Sequence, residues 1–320
     1  MHRCCLGRQG GEMKIVIVGP GAMGCLFAAY LTKSKEEVWL LDKNIARAAK
    51  INECGISVEG SQGSWQAKPK TTANTQDIGL ADLIIICVKS FHTKAAIEQI
   101  KPLLAQETKI LTLQNGIGNL EIISELVGDQ RTLAGVTNEG ATLIDVGKIR
   151  HAGRGETIIG TVDGKTPVAM RSIREIFNKV GLECKMSRDI KSLLWSKLII
   201  NVGINALSSI TRLPNGKLIQ YEGTKRILRD AVTEAVRISK RKRIKLIFDD
   251  PLAKVEAVCE GTHNNFSSML QDILRKERTE IDFINGVIVR LGQELGIDVP
   301  TNRFLLDLVK TIESSYAESA

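Results

Sequence analysis

The sequence predicts an α/β fold: an N-terminal Rossmann-type doubly wound sheet followed by a C-terminal all-helical domain. Short β-branched apolar runs alternate with helical patterns over the first half of the chain. A glycine-rich turn stands directly between the first such run and the first helix, and strand signals vanish after about Arg188. The chain has 320 residues, which at roughly 150 residues per domain predicts two domains. The expected partition is a disordered leader at 1–12, a dinucleotide-binding domain at 13–187 and a helical substrate and catalytic domain at 188–320.

Lys14 to Val18, K-I-V-I-V, reads as a strand buried on both faces of a parallel sheet. Cys25 to Leu31 continues as an apolar helix, Val38 to Leu41 as a second strand and Ile45 to Ile51 as a second helix, which completes one βαβ unit. Leu83 to Val88 and Ile110 to Leu113 read as further buried strands around a helix at Thr93 to Ile100. Between Thr132 and Gly160 the texture becomes glycine-punctuated and partly alternating, as antiparallel strands added to the sheet would be. A helix from Pro167 to Val180 and a strand at Leu182 to Met186 close this half. The remainder reads as consecutive helices, with turns at Pro214-Asn215-Gly216, Asp250-Pro251 and Val299-Pro300.

Composition narrows the class. Hydrophobic residues at 43% with charged residues at 25% exclude wholesale disorder and fibrous structure. No uninterrupted apolar stretch reaches the roughly 18 residues of a membrane span, so no membrane partner is expected. The seven cysteines are odd in number, scattered and without Cys-x-x-Cys spacing, which argues against a disulfide framework or a zinc site and suits a cytoplasmic location. His92, His151 and His263 are isolated, and no metal is expected. The net charge of +8 suits an anionic small molecule. The basic run Lys240 to Lys245 reads as a solvated helix end because no aromatics interleave it, so no nucleic acid is expected.

Gly19-Pro20-Gly21-Ala22-Met23-Gly24 is a GxGxxG that follows a strand and opens a helix, the context in which it binds a dinucleotide. Asp42 ends the second strand 18 residues beyond Gly24, where an acid accepts the ribose hydroxyls of NAD; the adjoining Lys43 would instead meet the 2′-phosphate of NADP. The two neighbours point in opposite directions. Lys89 and Asn115 each follow a strand at the carboxyl edge of the sheet, where both are candidate cofactor contacts and Asn115 a candidate substrate contact too, with a surface lysine and a plain Asn-Gly turn as the alternatives. In Leu193 to Ile210, Lys197, Asn201 and Asn205 recur every four residues and form one polar stripe on an otherwise apolar helix. Buried polar groups need partners, so the stripe reads as a cleft lined by a proton donor and two carboxamides. Asn265 and Ser268 would present an amide and a hydroxyl together, and Glu280 falls in the first turns of a long helix; capping is the plain alternative for all three.

In this order, G-P-G-A-M-G, C-V-K, L-Q-N-G-I-G, W-S-K-L-I-I-N-V-G-I-N-A-L, L-P-N-G, S-S-M-L-Q-D and T-E-I-D-F-I-N-G resemble the ketopantoate reductases, or 2-dehydropantoate 2-reductases, over Met13 to Tyr316. The resemblance implies NADPH-dependent reduction of 2-dehydropantoate to (R)-pantoate, a step towards pantothenate and coenzyme A. It makes Lys197 the proton donor. It gives Asn115, Asn201, Asn205, Asn215 and Ser268 to the substrate, and Asn115 and Glu280 also to the cofactor or the substrate hydroxyl. Family members often present a basic side chain to the 2′-phosphate; Lys43 is the candidate here, while Asp42 departs from the pattern and leaves NAD beside NADP. The other readings are a reductase of a different branched 2-oxo acid, an opine-like dehydrogenase, or a non-catalytic NADP-binding redox sensor, which would be expected to lose the proton donor. A small 2-oxo acid is the expected partner, with a homodimer as the candidate assembly.

Overall fold

Five residues of nearly pure aliphatic sequence, Lys14–Val18 (β1), are buried from Ile15 onward in a computed structural model that describes residues 12–60 and 63–318. The expected leader at 1–12 lies outside the described residues apart from Glu12. From β1 the chain runs through Ala22–Leu31 (α1), Glu37–Leu41 (β2), Ile45–Cys54 (α2), Ile56–Gly60 (β3), Gly63–Ala67 (β4), Lys70–Thr72 (β5) and Ala81–Ile86 (β6). Thr93–Ile100 (α3), Leu104–Thr112 (β7), Asn119–Val127 (α4), Thr132–Thr137 (β8), Gly140–Asp145 (β9) and Lys148–Gly153 (β10) follow. Thr157–Thr161 (β11), Val168–Lys179 (α5) and Cys184–Ser187 (β12) complete the α/β half.

Eight strands form the main sheet in the order β12-β11-β8-β7-β6-β1-β2-β5. The pairs from β5 through β8 are parallel, and β11 is antiparallel to β8. Alternation along the strands feeds two cores. Ile15, Ile17, Leu83 and Ile85 pack with Phe27 of α1 and Phe177 of α5, while Val16, Val18, Ile84 and Ile86 pack with Ile97 and Ile100 of α3. Both faces being covered is why these strands read as unbroken apolar runs.

Two expectations fail in this half. The segment from Thr132 to Gly160 does not simply add antiparallel strands to the sheet: β8 is parallel to β7, and β9 and β10 leave to join β3 and β4 in a separate four-stranded sheet, β4-β3-β10-β9. Those strands carry one apolar face, with Val58, Ala67 and Ile149 entering the core around α1, and a two-faced central position would bury their polar side. The strand expected to reach Val88 ends at Ile86, because the Val88 carbonyl accepts from the Gln114 side-chain amide at 2.8 Å instead of continuing a ladder.

The chain falls into two compact units, the chain to Gln114 with Asn119–Ile190, and Asn115–Gly118 with Lys191 onward. The second is helical: Ile190–Thr211 (α6), Glu222–Arg241 (α7), Pro251–Gly261 (α8), Ser268–Leu274 (α9), Asn285–Leu295 (α10) and Pro300–Ser314 (α11). By length and composition α6 passes as a membrane span, but it is mostly buried, as the core helix of this unit, and packs through Leu198, Ile199, Val202 and Leu207. Asp250 caps α8 by accepting from the Leu252 and Ala253 N–H groups, with Pro251 in the first turn. A carboxylate from α7 supplies the cap of α11, where Glu234 accepts from the Thr301 and Asn302 N–H groups at 2.8 and 2.9 Å.

Between α1 and the small sheet, the Tyr30 hydroxyl lies 3.2 Å from His151 Nδ1, and His151 Nε2 lies 2.6 Å from Glu139 Oε2. The histidine and carboxylate side chains are only 7% and 3% exposed, so deleting one strands the other in a low-dielectric interior. His151→Leu is therefore expected to lower stability by about 3 kcal/mol. Adding Glu139→Leu should recover part of that loss in urea unfolding, and a double variant less stable than His151→Leu would contradict the pairing.

Candidate active site

The order of the main sheet reverses at β1, with β2 and β5 on one side and β6 and β7 on the other, so a crevice for a ligand is expected at the carboxyl ends of β1 and β6. The glycine loop occupies that edge, and its three glycines answer different constraints. Gly19 has φ +100°, and a Cβ there would lie 2.7 Å from Val88 Cγ1. A Cβ on Gly24 would lie 1.9 Å from the Gly19 carbonyl oxygen. Those two serve internal packing. At Gly21 an added Cβ would meet nothing within 4 Å, so the bare backbone there faces open space. Gly21 is also the N-cap of α1 and brings no side-chain cap, which leaves the N–H groups of the first turn, Ala22 and Met23 included, for an anion. Buried Pro20 keeps the loop closed, its carbonyl accepting from Cys25 Sγ at 3.4 Å. This cradle fits the pyrophosphate of a dinucleotide.

Asp42 lies just past β2 and is buried, 2% exposed. Its two oxygens accept from Arg47 of α2, Nε to Oδ2 at 2.5 Å and Nη2 to Oδ1 at 2.7 Å, and Oδ1 also accepts from the Asn44 N–H. A ribose reaching this strand end therefore faces a carboxylate already committed to a guanidinium. Arg47 carries no signal in sequence, since a basic residue in the first turn of a helix usually marks only a solvated face. Lys43 is exposed and its Nζ lies 3.2 Å from His92 Nε2. Lys89 is half-buried and precedes the 3₁₀ turn Ser90–His92. Asn115 is half-buried at the start of a loop in which Gly116 and Gly118 take φ values of +82° and +116°.

In the helical unit, α6 carries Lys197, Asn201 and Asn205 on one face, as their spacing requires. Desolvation lowers the Lys197 pKa from its ordinary value to about 8, partly opposed by the nearby Glu280 carboxylate, which favours the ammonium. Lys197 keeps partial solvent access while Asn205 is buried. The Asn205 carbonyl accepts from the Ser208 and Ser209 hydroxyls, and Ser208 Oγ lies 2.6 Å from Ser267 Oγ.

Glu280 does not sit in the first turns of a long helix as expected. It precedes the 3₁₀ turn Ile281–Phe283, and α10 starts only at Asn285, since the Phe283 carbonyl is taken by the Ile117 N–H at 3.0 Å. The consequence is that Glu280 is buried, 7% exposed, and acts on Lys197 rather than on a helix dipole. Asn215 opens the 3₁₀ helix Asn215–Ile219; its amide donates to Thr262 Oγ1 at 2.9 Å, and its buried Oδ1 has no hydrogen-bond partner among the described residues. The Asn215 N–H donates to the Asn265 carbonyl. Asn265 and Ser268 are both exposed, and the cap of α9 is Ser267, a buried hydroxyl that sequence reading passed over for its neighbour.

Residues 15–164 match the family model described as ketopantoate reductase PanE/ApbA, and residues 189–313 match the model of that family's C-terminal region. A 2-dehydropantoate 2-reductase of Pyrococcus horikoshii is 37% identical over 304 residues, spanning 94% of this chain and 98% of that protein. The crystal structure of a PanE/ApbA family ketopantoate reductase from Ralstonia eutropha superposes with a TM-score of 0.88 at 35% identity, covering 95% of this chain and 99% of that one. A D-mandelate dehydrogenase solved with NADH and anilino(oxo)acetate gives the same TM-score, 0.88, at 28% identity and the same coverage, 95% and 99%. With both family models matched in order and the similarity spanning nearly its full length, the chain belongs to the ketopantoate reductase family of pyridine-nucleotide-dependent oxidoreductases.

Proposed function

We propose that the protein reduces 2-dehydropantoate to (R)-pantoate with NADPH, supplying pantothenate and coenzyme A synthesis, and that Lys197 donates the proton. The observation that carries this reading is a lysine buried enough in α6 to have a pKa of about 8, beside Glu280 and in line with Asn201 and Asn205. When bound, the reduced nucleotide supplies the hydride that carbonyl reduction needs. Negative charge then gathers on the former carbonyl oxygen, and the Lys197 ammonium stabilises it and passes one proton from Nζ to that oxygen. Glu280 keeps Nζ charged against the desolvation that favours the neutral amine. Asn115, Asn201, Asn205, Asn215, Asn265 and Ser268 supply amides and a hydroxyl to orient the 2-oxo acid, and the unsatisfied Oδ1 of Asn215 suits a substrate hydroxyl. Steady-state rates with 2-dehydropantoate beside other branched 2-oxo acids test the substrate; a higher kcat/KM for another of them overturns it.

Catalysis needs the protonated amine, so kcat/KM for the oxo acid should be level at low pH and fall as pH rises through about 8. Glu280→Gln removes the charge that raises this pKa and should move the break to lower pH. Lys197→Ala should cost on the order of 10²–10⁴-fold in turnover while nucleotide binding survives. A folded Lys197→Ala variant with near-normal turnover would remove the lysine from the mechanism.

The preference for NADPH rests on Asp42 being withdrawn beneath Arg47, so that Arg47 and Lys43 present positive charge where the adenosine ribose is held. Lys89 adds a third cation at the same sheet edge. Losing one charge-assisted contact of about 1.5–3 kcal/mol makes Arg47→Ala lower kcat/KM for NADPH by roughly 10- to 100-fold with a smaller effect on NADH. Wild-type enzyme that favours NADH, or an Arg47→Ala variant with unchanged preference, would return Asp42 to the role of ribose reader.

A further inference from the structure

Beneath the carboxyl ends of β6 and β7 lies a polar cluster that none of the roles above uses. Ser90, Thr93, Thr112, Gln114 and Asn119 are all buried, between 0% and 8% exposed. The Gln114 side-chain amide donates both protons, to the Val88 carbonyl and to Thr93 Oγ1, each at 2.8 Å, and its oxygen accepts from the Thr112 hydroxyl at 2.9 Å. Having accepted from Gln114, the Thr93 hydroxyl has its own proton to share between the Ser90 carbonyl and Asn119 Oδ1, both at 2.8 Å. Asn119 Nδ2 donates to Ser90 Oγ at 3.0 Å.

The flanks that this cluster fixes are those of two site loops. Lys89 lies between Val88, whose carbonyl Gln114 holds, and Ser90, held at its carbonyl by Thr93 and at its hydroxyl by Asn119. Asn115 opens the segment Asn115–Gly118, whose preceding residue Gln114 and following residue Asn119 both bond the Thr93 hydroxyl. Gly116 and Gly118 inside that segment have positive φ, so the segment is irregular: the Ile117 N–H ties its middle to the Phe283 carbonyl, and the Thr93 hydroxyl bonds the residues that flank it. We propose that Thr93 is a positioning residue for the reduction: its single buried hydroxyl ties the two loops together and thereby sets where Lys89 and Asn115 stand. This rests on the cofactor and substrate roles given to those two residues above.

Thr93→Val keeps the shape and deletes the hydroxyl, while Thr93→Ser restores it, and both are read in the full-length enzyme with NADPH and 2-dehydropantoate. A displaced contact residue should make kcat/KM fall about tenfold or more in Thr93→Val, and Thr93→Ser should recover most of that loss. The loss should also shrink when Thr93→Val is made in an Asn115→Ala or a Lys89→Ala background, because a residue that acts through another has nothing left to position. A folded Thr93→Val variant with wild-type kcat/KM, a Thr93→Ser variant no better than Thr93→Val, or full additivity in both backgrounds overturns the proposal. If Thr93→Val does not fold, Ser90→Ala, which removes the acceptor of Asn119 Nδ2, carries the same comparison, with a severalfold loss expected and wild-type kcat/KM again overturning it. Wild-type activity in both Asn115→Ala and Lys89→Ala would overturn the roles of those residues and this proposal with them; losses in those two beside an unaffected Thr93→Val overturn the hydroxyl hub alone.

Discussion

Placing an ammonium group inside an apolar helix is costly, and the helical unit is organised around that cost. Lys197 sits among Leu198, Ile199 and Val202, residues that α6 needs for the core. A lysine there loses hydration, which lowers its pKa from the ordinary value to about 8. Glu280 partly offsets the penalty, and it reaches that position only because the chain makes a 3₁₀ turn before α10 instead of entering the helix directly. In the proposed mechanism this cost serves the reaction: desolvation brings the lysine towards neutral pH, where an acid gives up its proton readily and regains it.

The carboxyl edge of the main sheet meets the same constraint with neutral and paired groups. Asp42 would be an unpaired buried anion without Arg47, whose guanidinium neutralises the acidic end of β2. Gln114 would lose all three of its side-chain hydrogen bonds without Val88, Thr93 and Thr112. In each case, satisfying a buried polar group also fixes the conformation of a loop that borders the site. Fully satisfied buried networks tend to define one conformation, because every alternative leaves a donor or acceptor unpaired.

The motifs legible in the sequence were those whose geometry is local. A tight turn after β1 requires glycine whatever the rest of the protein does, and the clash a Cβ would make at Gly24 with the Gly19 carbonyl lies within a single turn. The Lys197, Asn201 and Asn205 stripe needs only helical periodicity, and the double-sided burial of β1 and β6 shows as unbroken aliphatic runs. The small sheet was not legible. The strands β3 and β4 are short and carry glycine and serine, and the partner that buries their single apolar face, α1, lies at least 25 residues earlier in the chain.

The alternation of strands and helices, the glycine loop after β1, the helical second half and the lysine-asparagine face of α6 could be read from the residues alone, because each follows from steric limits or periodicities that operate within a few residues. Long-range packing was needed to show that Arg47 covers Asp42, that Ser267 rather than Ser268 meets α6 through Ser208, that Glu280 answers Lys197 from 83 positions along the chain, and that Thr93 gathers the ends of two loops. Those pairings follow from the need of buried charges and hydrogen-bonding groups for partners. Which partner each one finds depends on which distant segments the packed cores bring within reach.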